Sequence, residues 1–336
     1  FYEMYVLDPK HAEAHITGDI HIHDLDFLTL TTTCCQIDLK KLFEGGFSTG
    51  HGFIREPKHI QTYSALACIA IQSNQNDQHG GQSIPDFDYA MAPGVRKTYR
   101  SLYIQNLGKM INLLKDIEDG EEIAGSVLKQ IEKEKGAVPS MADESDYIAV
   151  EREYLKEYLK EDEIEKVQRY AKKYADKEIE RSTYQAMEAL VHNLNTMHSR
   201  AGAQIPFSSI NYGTDTSPEG RLVMECVLKA TEAGLGGGET PIFPIHIFKV
   251  KEGVNYNPED PNYDLFRLAC RVSAKRLFPN FSFIDAPFNL QYYDPKDHNT
   301  EVAYMGCRTR VVANNYDPGR QTTSGRGNLS FTSVNL

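Results

Sequence analysis

The chain has 336 residues, of which 40% are hydrophobic, and its formal net charge is -11 at pH 7. This length suits one large domain or two ordinary ones, and the hydrophobic content is sufficient for a sizeable core. The acidic balance argues against a general DNA- or RNA-binding surface, although a few local donors can still hold a nucleotide phosphate. Because no apolar run approaches about 18 residues, no membrane span is predicted.

Six cysteines are scattered along the chain: Cys34, Cys35, Cys68, Cys226, Cys270 and Cys307. None of them forms a C-x-x-C pair, so a zinc ribbon within this chain is not expected. The start, FYEMYVLDPK, lacks a secretory signal, and with the scattered cysteines this predicts reduced thiols in a cytoplasmic protein. The start and the end, NLSFTSVNL, are typical of a piece of a longer protein.

Three regions differ in pattern. Residues 1–110 are rich in motifs, and residues 111–200 carry apolar residues at three- and four-residue spacing among Glu and Lys, which predicts solvated helices joined by a loop at 136–146. In residues 201–336, PIFPIHIFKV and RTRVVANN predict buried strands, while LVMECVLKATEAGL and YDLFRLACRVSAKRLF predict helices. Strands alternating with helices predict an α/β sheet or barrel.

The first candidate site is GDIHIHDLDF, residues 18–27. On an extended strand, His21 and His23 point to one face, and Asp24 and Asp26 share the other. Two histidines on one face can ligate a metal, as in barrel metallohydrolases, although a metal needs further ligands. The alternative is that these side chains hydrogen-bond neighbouring loops and shape a site.

The second candidate is SNQNDQHGGQSIPDFDYAMAP, residues 73–93. Its dense run of donors and acceptors includes Asn76 and His79, and such a run is costly to bury unless each group finds a partner. Gly80 and Gly81 are expected to allow unusual backbone angles. The segment is either a solvated loop or a site for a polar ligand such as a nucleotide.

The third candidate is RAGAQIPFSSINYGTDTSPEGR, residues 200–221. Ser208, Ser209 and Asn211 are predicted to end a short strand. A helix is predicted to follow, with Thr216 or Ser217 as its N-cap and proline near its first position. A helix N-terminus beside hydroxyl groups is a plausible phosphate site, and an ordinary capped helix is the alternative.

The fourth candidate is a pair of cysteines, Cys34 in TTTCCQIDL and Cys307 in MGCRTR. Radical chemistry on a nucleotide needs one thiol to abstract hydrogen and further donors to complete the reduction, all at one pocket. Most cysteines outside disulfides are small core residues, and spacing along the chain does not show whether these two meet.

Several long motifs, in order, resemble the anaerobic, class III ribonucleoside-triphosphate reductases. They are HITGDIHIHDLDF, TTTCCQIDLKKLFEGGFSTGHGFIREP, QSNQNDQHGGQSIPDFDYAMAPGV, GGGETPIFPIHIFK, MGCR and GRGNLSFTSVNL, and they cover nearly the whole chain. The resemblance implies a ten-stranded α/β barrel, built of two five-stranded half-barrels around a central finger loop, as in glycyl-radical enzymes. The whole of 1–336 would be part of this one catalytic barrel domain, with the charged helical segment at about 111–200.

The resemblance also implies roles for individual residues. Cys307 matches the finger-loop cysteine, which becomes a thiyl radical and abstracts the 3′ hydrogen of the ribose. Cys34 matches the second active-site cysteine, which donates hydrogen as the 2′ hydroxyl is lost, while Cys35 points the other way and packs in the core. Asn328 in GRGNL matches the asparagine associated with formate as reductant, and Met305 flanks the thiyl position. The candidate substrate-binding residues are His21, His23, Asn76, His79, Ser208, Ser209, Asn211 and Met305.

Further parts and partners follow from the same resemblance. The family implies a homodimer that binds ribonucleoside triphosphates, with ATP and deoxynucleotide effectors; helices within 60–115 are candidates for the effector site. It implies a glycyl radical installed by a radical-SAM activating enzyme, and a four-cysteine zinc site. The N-terminal cone domain and the C-terminal glycyl-radical and zinc region have no counterpart in this chain, so the chain alone is expected to be inactive.

Three alternatives stay open at this point. One is a metal-dependent hydrolase that uses His21 and His23. Another is a different glycyl-radical enzyme of the formate-lyase type, although such enzymes commonly carry adjacent cysteines at the finger loop, and here the adjacent pair lies at 34–35. The last is a non-catalytic nucleotide-binding regulator derived from the reductase.

Overall fold

A computed structural model of the chain describes residues 1–28, 31–142, 145–200, 202–306, 309–312, 314 and 316–336. The predicted radical cysteine, Cys307, lies outside these described residues. No helix in the described ranges combines the length and the apolarity that a bilayer crossing requires.

Helices dominate the described chain. They are α1 (Tyr2–Tyr5), α2 (Pro9–Thr17), α3 (Leu39–Phe43), α4 (Ile60–Asn74), α5 (Phe87–Lys115), α6 (Gly120–Lys135), α7 (Ser145–Leu155), α8 (Glu161–Thr196), α9 (Pro218–Ala233), α10 (Tyr263–Arg276) and α11 (Pro287–Leu290), with 3-10 turns at Leu25–Phe27 and His298–Thr300. The strands are β1 (Ile20–Ile22), β2 (Cys34–Gln36), β3 (Phe47–Ser48), β4 (Phe53–Ile54), β5 (Gln82–Ile84), β6 (Ser208–Tyr212), β7 (Ile245–Val250), β8 (Asn280–Phe283), β9 (Ala303–Met305), β10 (Thr309–Val311), β11 (Gly327–Asn328) and β12 (Thr332–Val334).

A mixed sheet forms the centre of the fold. Its strand order is β11-β2-β5-β6-β7-β8, in which β11 runs antiparallel and the other five strands run parallel. Parallel neighbours need long crossover connections, and helices α4, α9 and α10 provide three of them. The predicted α/β class is confirmed. Within the described residues the main sheet has six strands, so the ten-stranded barrel stays a prediction.

The charged middle region forms the predicted helices. In α8, buried residues recur at three- and four-residue spacing, among them Ile164, Val167 and Ala171, and this stripe packs against α5. Helix α6 ends at Gly136, whose φ of 65° is the left-handed conformation that glycine adopts without strain. Because α7 begins at Ser145, the loop after α6 is slightly shorter than predicted.

The last third confirms most of its predicted elements. Helices α9 and α10 and strand β7 form where the sequence predicts them, and Ser217 is the N-cap of α9, with its Oγ accepting from Gly220 N at 3.1 Å. Strand β10 is the exception: within the described residues it pairs with β9 alone and leaves Arg310 exposed, so the prediction of a fully buried strand there is wrong. Local capping was readable from sequence, whereas the partner of β10 depends on the tertiary fold.

Strands β9 and β10 form an antiparallel hairpin in which Met305 pairs with Thr309. The hairpin lies against β2, β5 and β6 of the main sheet. In sequence, Cys307 follows Gly306 and precedes Thr309, and it is outside the residues that the structure describes.

Candidate active site

The amino-terminal ends of β2, β5 and β6 surround a cavity of about 280 Å³. Cys34 begins β2, the Gly80–Gly81 pair precedes β5, and Phe207 precedes β6, so parallel strands bring these distant segments to one edge of the sheet. From the hairpin, Met305, Gly306 and Thr309 line the same cavity. The described neighbours of Cys307 on both sides therefore face the cavity that Cys34 lines.

The two cysteines of the CC pair occupy opposite sides of β2, as alternation along a strand requires. Cys34 lines the cavity, whereas the Cys35 sulfur lies on the side of α4 and accepts a hydrogen bond from Asn74 Nδ2 at 3.1 Å. Burial raises the pKa of the Cys35 thiol to about 11, which keeps it protonated and unreactive at neutral pH. This confirms the prediction that Cys35 packs away from the site.

The Gly-Gly pair makes room for Cys34 and for the hairpin. A Cβ atom on Gly80 would lie 1.6 Å from the Thr33 carbonyl oxygen and 3.2 Å from Cys34 Sγ. A Cβ atom on Gly81 would lie 2.9 Å from the Phe207 ring and 3.3 Å from Gly306 Cα. Neither glycine has a positive φ, so the expectation of unusual backbone angles is wrong. Close approach of neighbouring chain segments is what requires glycine at these positions.

A polar network around Asp24 forms one wall of the cavity. Asp24 Oδ2 lies 3.1 Å from His23 Nε2 and 3.5 Å from His79 Nε2, and His79 Nδ1 lies 2.7 Å from Thr31 Oγ1. Asp24 does not continue the strand, because β1 ends at Ile22 and Asp24 adopts a φ of 48°. The predicted placement of Asp24 on the face opposite the histidines is therefore wrong.

His79 is the buried histidine of this network, and Phe27 stacks on its ring with 4.7 Å between ring centroids. Burial lowers the pKa of His79 below its ordinary value, and the carboxylate of Asp24 opposes that shift. The ring is therefore neutral at neutral pH. Its buried Nε2 atom has no hydrogen-bond partner within the described chain, which leaves it available to a bound molecule.

Arg200 and the ring of Phe331 complete the wall. The Arg200 guanidinium donates from Nη2 to the His79 carbonyl oxygen at 2.9 Å, and Phe331 stacks on His23 at 4.4 Å between centroids. Sequence reasoning missed both residues as site residues. Arg200 opens the third candidate motif, so a cation beside a polar segment was the available signal, whereas nothing local marked Phe331.

Asn328 lies beside Cys34, because the two residues are paired across the antiparallel strands β11 and β2. Its carbonyl oxygen accepts from Thr33 N at 2.8 Å, and its Nδ2 lies 3.5 Å from Thr309 Oγ1 on the hairpin. The position predicted to serve formate therefore connects the Cys34 strand with strand β10 of the hairpin.

The other predicted site residues lie elsewhere. His21 is exposed on β1, with its ring 6.1 Å from that of His23, and Asn76 borders a separate surface pocket of about 380 Å³. Ser208, Ser209 and Asn211 are fully buried within β6, where they form the strand and do not end it. Their contact with substrate stays a prediction.

The loop that leads into α9 binds a side chain of the protein. The backbone N–H groups of Gly213, Thr214 and Asp215 donate to Asp88 Oδ2 at 2.9, 3.1 and 3.1 Å. These donors would otherwise be available to an anion. The helix N-terminus itself is capped by Ser217, and phosphate binding there stays a prediction.

A larger cavity lies away from these groups. It has a volume of about 710 Å³ and lies on the other side of β2, where Cys35, Asn74 and Arg326 contribute to its wall. None of the predicted site residues within the described ranges lines it. The smaller cavity is therefore the candidate active site.

The fold and the cavity define an α/β protein with a thiol-lined cavity that a β-hairpin helps to close. The family model for the anaerobic ribonucleoside-triphosphate reductase matches residues 1–336, and the chain belongs to this family. The resemblance seen in the motifs is thereby confirmed.

Individual relatives agree with the family assignment. The anaerobic ribonucleoside-triphosphate reductase of Enterobacteria phage T4 is 30% identical over 327 residues, which are 96% of this chain and 44% of the phage protein. The enzyme of Escherichia coli K12 is 28% identical over 328 residues, 97% of this chain and 37% of its own length. The chain thus spans less than half the length of these relatives.

Solved structures are similar at a lower level. The anaerobic ribonucleotide reductase from Thermotoga maritima, with dATP bound in its specificity site, is 16% identical with a TM-score of 0.46. The match covers 82% of this chain and 38% of that structure.

Proposed function

We propose that this chain is part of the catalytic barrel of an enzyme that reduces ribonucleoside triphosphates to deoxyribonucleoside triphosphates by thiyl-radical chemistry. Membership of the reductase family supports this activity. The observation that carries it is the shared cavity, which Cys34 lines from the sheet and the neighbours of position 307 line from the hairpin.

Each thiol has a separate task in this proposal. Cys307, once oxidised to a thiyl radical, abstracts the hydrogen atom from C3′ of the ribose. Cys34 donates a hydrogen atom to C2′ after the 2′ hydroxyl leaves as water, which makes Cys34 a thiyl radical and C3′ a ketone. Formate returns a hydrogen atom to the Cys34 sulfur and an electron to the ketone, which also takes up a proton, and formate is thereby oxidised to carbon dioxide. The Cys307 thiol then gives its hydrogen atom back to C3′ and becomes a thiyl radical again. When present, a glycyl radical supplies the unpaired electron for the Cys307 sulfur; this group and the zinc site are proposed to lie outside this chain.

The polar groups of the cavity wall can bind the ribose and can transfer a proton to the departing 2′ hydroxyl. His79 offers a buried Nε2 atom that makes no hydrogen bond within the described ranges, and Asp24 Oδ2 lies between it, at 3.5 Å, and His23 Nε2, at 3.1 Å. We assign these groups to binding the ribose hydroxyls and to relaying the proton of the 3′ hydroxyl to the departing 2′ oxygen, which leaves as water. Asn328, beside Cys34, is assigned to orienting formate.

The size and charge of the cavity indicate how a nucleotide would lie. A volume of about 280 Å³ is at the lower limit of ligand pockets, which usually span about 300–1,000 Å³. It suits a ribose with formate, and the base and the triphosphate would extend beyond it. Among the described residues that line the cavity, Arg200 is the one with a permanent positive charge, and it is assigned to the phosphates.

The proposal extends to the complete assembly. The five parallel strands β2, β5, β6, β7 and β8 support one half-barrel, and the antiparallel β11 supports the beginning of the second. We propose a cytoplasmic homodimer that binds ATP and deoxynucleotide effectors and receives its radical from a radical-SAM activating enzyme. Family membership favours this function over a metal-dependent hydrolase based on His21 and His23.

Replacement of each thiol tests the function. In the longer polypeptide that contains this chain, activated under anaerobic conditions with formate, Cys34→Ser and Cys307→Ser are each expected to abolish formation of deoxyribonucleotide from ribonucleoside triphosphate. Cys270→Ser is the matched control, because Cys270 is exposed on α10, and it should retain activity. Deoxyribonucleotide formation by Cys34→Ser at the wild-type rate would contradict the proposal.

A further inference from the structure

Side chains of the sheet hold the backbone of strand β9. Asn211 Oδ1 accepts from Tyr304 N at 2.8 Å, and Asn211 Nδ2 donates to Tyr304 O at 3.0 Å, so one amide bonds both backbone groups of one residue. Ser83 Oγ donates to the same Tyr304 oxygen at 2.6 Å. One residue before position 307, Gly306 N donates to Ser209 Oγ at 3.2 Å.

The location of β9 explains why side chains perform this task. The hairpin packs on the main sheet and pairs only within itself, so one edge of β9 has no strand partner in the described part of the chain. Buried backbone groups must still be bonded. Asn211, Ser83 and Ser209 are 0% exposed. Their bonds to the backbone of β9 explain why polar side chains are present inside the buried strands β5 and β6.

The base of the hairpin is fixed by a buried ionic network. Glu301 Oε2 lies 3.2 Å from Lys249 Nζ and accepts from Thr214 Oγ1 at 2.8 Å, and Glu301 Oε1 lies 3.3 Å from Lys251 Nζ. Burial by itself would raise the pKa of Glu301, but the two lysines lower it below its ordinary value. The hairpin is therefore held at its base by charge and along β9 by amide and hydroxyl groups.

We propose that Asn211 and Ser209 are positioning residues for the thiol at position 307, a role that rests on the proposed function. Hydrogen abstraction requires the sulfur to lie within a few ångströms of C3′, and a 1 Å misplacement can cost about a hundredfold in rate. Gly306 is covalently joined to residue 307, so we expect a change in the bonds at Tyr304 and Gly306 to lower the rate of hydrogen abstraction by that residue. Neither side chain has to touch the nucleotide.

The test measures kinetics and hydrogen exchange in the longer polypeptide that contains this chain. Asn211→Asp keeps the shape and the acceptor for Tyr304 N but directs a carboxylate at the carbonyl oxygens of Tyr304 and Ile84. We expect kcat to fall about a hundredfold with little change in KM for the ribonucleotide, and amide exchange at Tyr304 and Gly306 to accelerate. Ser209→Ala removes the acceptor for Gly306 N and a longer bond to Gln82 O at 3.3 Å but leaves the bonds to Tyr304 in place, so kcat should fall about fivefold to tenfold.

Two control variants match these changes. Asn255 is also 0% exposed, donates from Nδ2 to Gly213 O and Lys249 O at 2.9 Å, and accepts from Lys251 N at 2.9 Å, without a bond to the hairpin strand. Asn255→Asp should lower stability while the folded fraction keeps its kcat. Ser282→Ala removes a buried hydroxyl that has no partner in the described chain, and it should leave kcat unchanged.

The outcomes separate this inference from the proposed function. If Asn211→Asp raises KM and leaves kcat unchanged, the residue binds substrate and the positioning role is wrong. Unchanged kcat together with unchanged exchange at Tyr304 also overturns it. If Asn211→Asp does not fold, the kcat values of Ser209→Ala and Ser282→Ala are compared. Equal kcat values for these two variants would overturn the positioning role. If the wild-type enzyme reduces no ribonucleotide, the proposed function itself is wrong. The positioning role is then wrong as well, even if slow amide exchange at Tyr304 and Gly306 shows that these hydrogen bonds form.

Discussion

At the scale of the residue, the site depends on how closely side chains and backbone approach one another. Cys34 faces the cavity only because Gly80 lets the chain before β5 lie against Thr33 and the Cys34 sulfur. His79 is neutral because it is buried, and its Nε2 atom lacks a hydrogen-bond partner in the described chain. These are properties of contacts between segments that lie far apart in sequence.

Gly80→Ala tests the requirement for close approach. The added Cβ would lie 1.6 Å from a carbonyl oxygen, so β2 and β5 must separate, and we expect the free energy of unfolding to fall by about 1–3 kcal/mol. Gly125 is the matched control, since it lies within α6 and its added Cβ meets no atom within 4 Å. Gly125→Ala should raise the free energy of unfolding by about 0.4–1 kcal/mol. Urea denaturation measures both, and an unchanged midpoint for Gly80→Ala would contradict the geometry.

At the scale of the element, the hairpin of β9 and β10 extends from the carboxyl-terminal ends of the parallel strands to their amino-terminal ends. Its base lies near Glu301, beside the carboxyl-terminal part of β7, and at its other end Met305, Gly306 and Thr309 line the cavity. The hairpin pairing was not predicted, because a strand's partner is set by residues far along the chain. The capped helix α9, by contrast, was predicted from adjacent residues.

Glu301→Gln tests the base of the hairpin. Lys249 would remain buried without its carboxylate, so we expect a loss of about 3–5 kcal/mol in the free energy of unfolding. Glu232→Gln is the control, because it breaks a solvent-facing pair with Arg271 and should cost about 0–1 kcal/mol. Thermal or urea unfolding at pH 7 measures the stability of both variants. Equal losses in the free energy of unfolding would contradict the role of Glu301 as a buried ionic partner of Lys249.

Acidification provides a second measurement on the same variant. The pKa of Glu301 is lowered from 4.5, so the folded chain binds its proton less readily than the unfolded chain. The ionised carboxylate therefore stabilises the fold above pH 4.5, and this contribution is lost as the pH falls through the lowered pKa. The stability difference between the wild type and Glu301→Gln should narrow on acidification; a constant difference would show that the charge is not involved.

At the scale of the whole molecule, one hydrophobic core connects the sheet with the long helices α5 and α8. This core holds the strands that surround the cavity. The chain matches the reductase family along its whole length, yet it spans 44% of the phage T4 relative and 37% of the Escherichia coli relative. The whole enzyme is therefore the unit at which turnover is proposed.

Activity of the isolated chain tests this proposal. We expect residues 1–336 alone to form no deoxyribonucleotide from ribonucleoside triphosphate and formate under anaerobic conditions, because the proposed radical source lies outside them. The longer polypeptide, activated in parallel, is the positive control. Detectable product from the isolated chain would show that the radical source is not required or lies within it.

The sequence by itself determined the family, the α/β class, the capped helix α9 and the opposite orientations of Cys34 and Cys35, because these follow from motifs and from the local periodicity of helices and strands. The tertiary structure alone decided that Asp24 turns back to His79, and that Asn211 bonds Tyr304, 93 positions away. Ser209 and Asn211 appeared in the sequence as candidates for substrate, since a polar residue does not reveal which buried group it satisfies. The physical reason is that hydrogen bonds of buried side chains depend on which segments the fold brings together, and no local pattern encodes that.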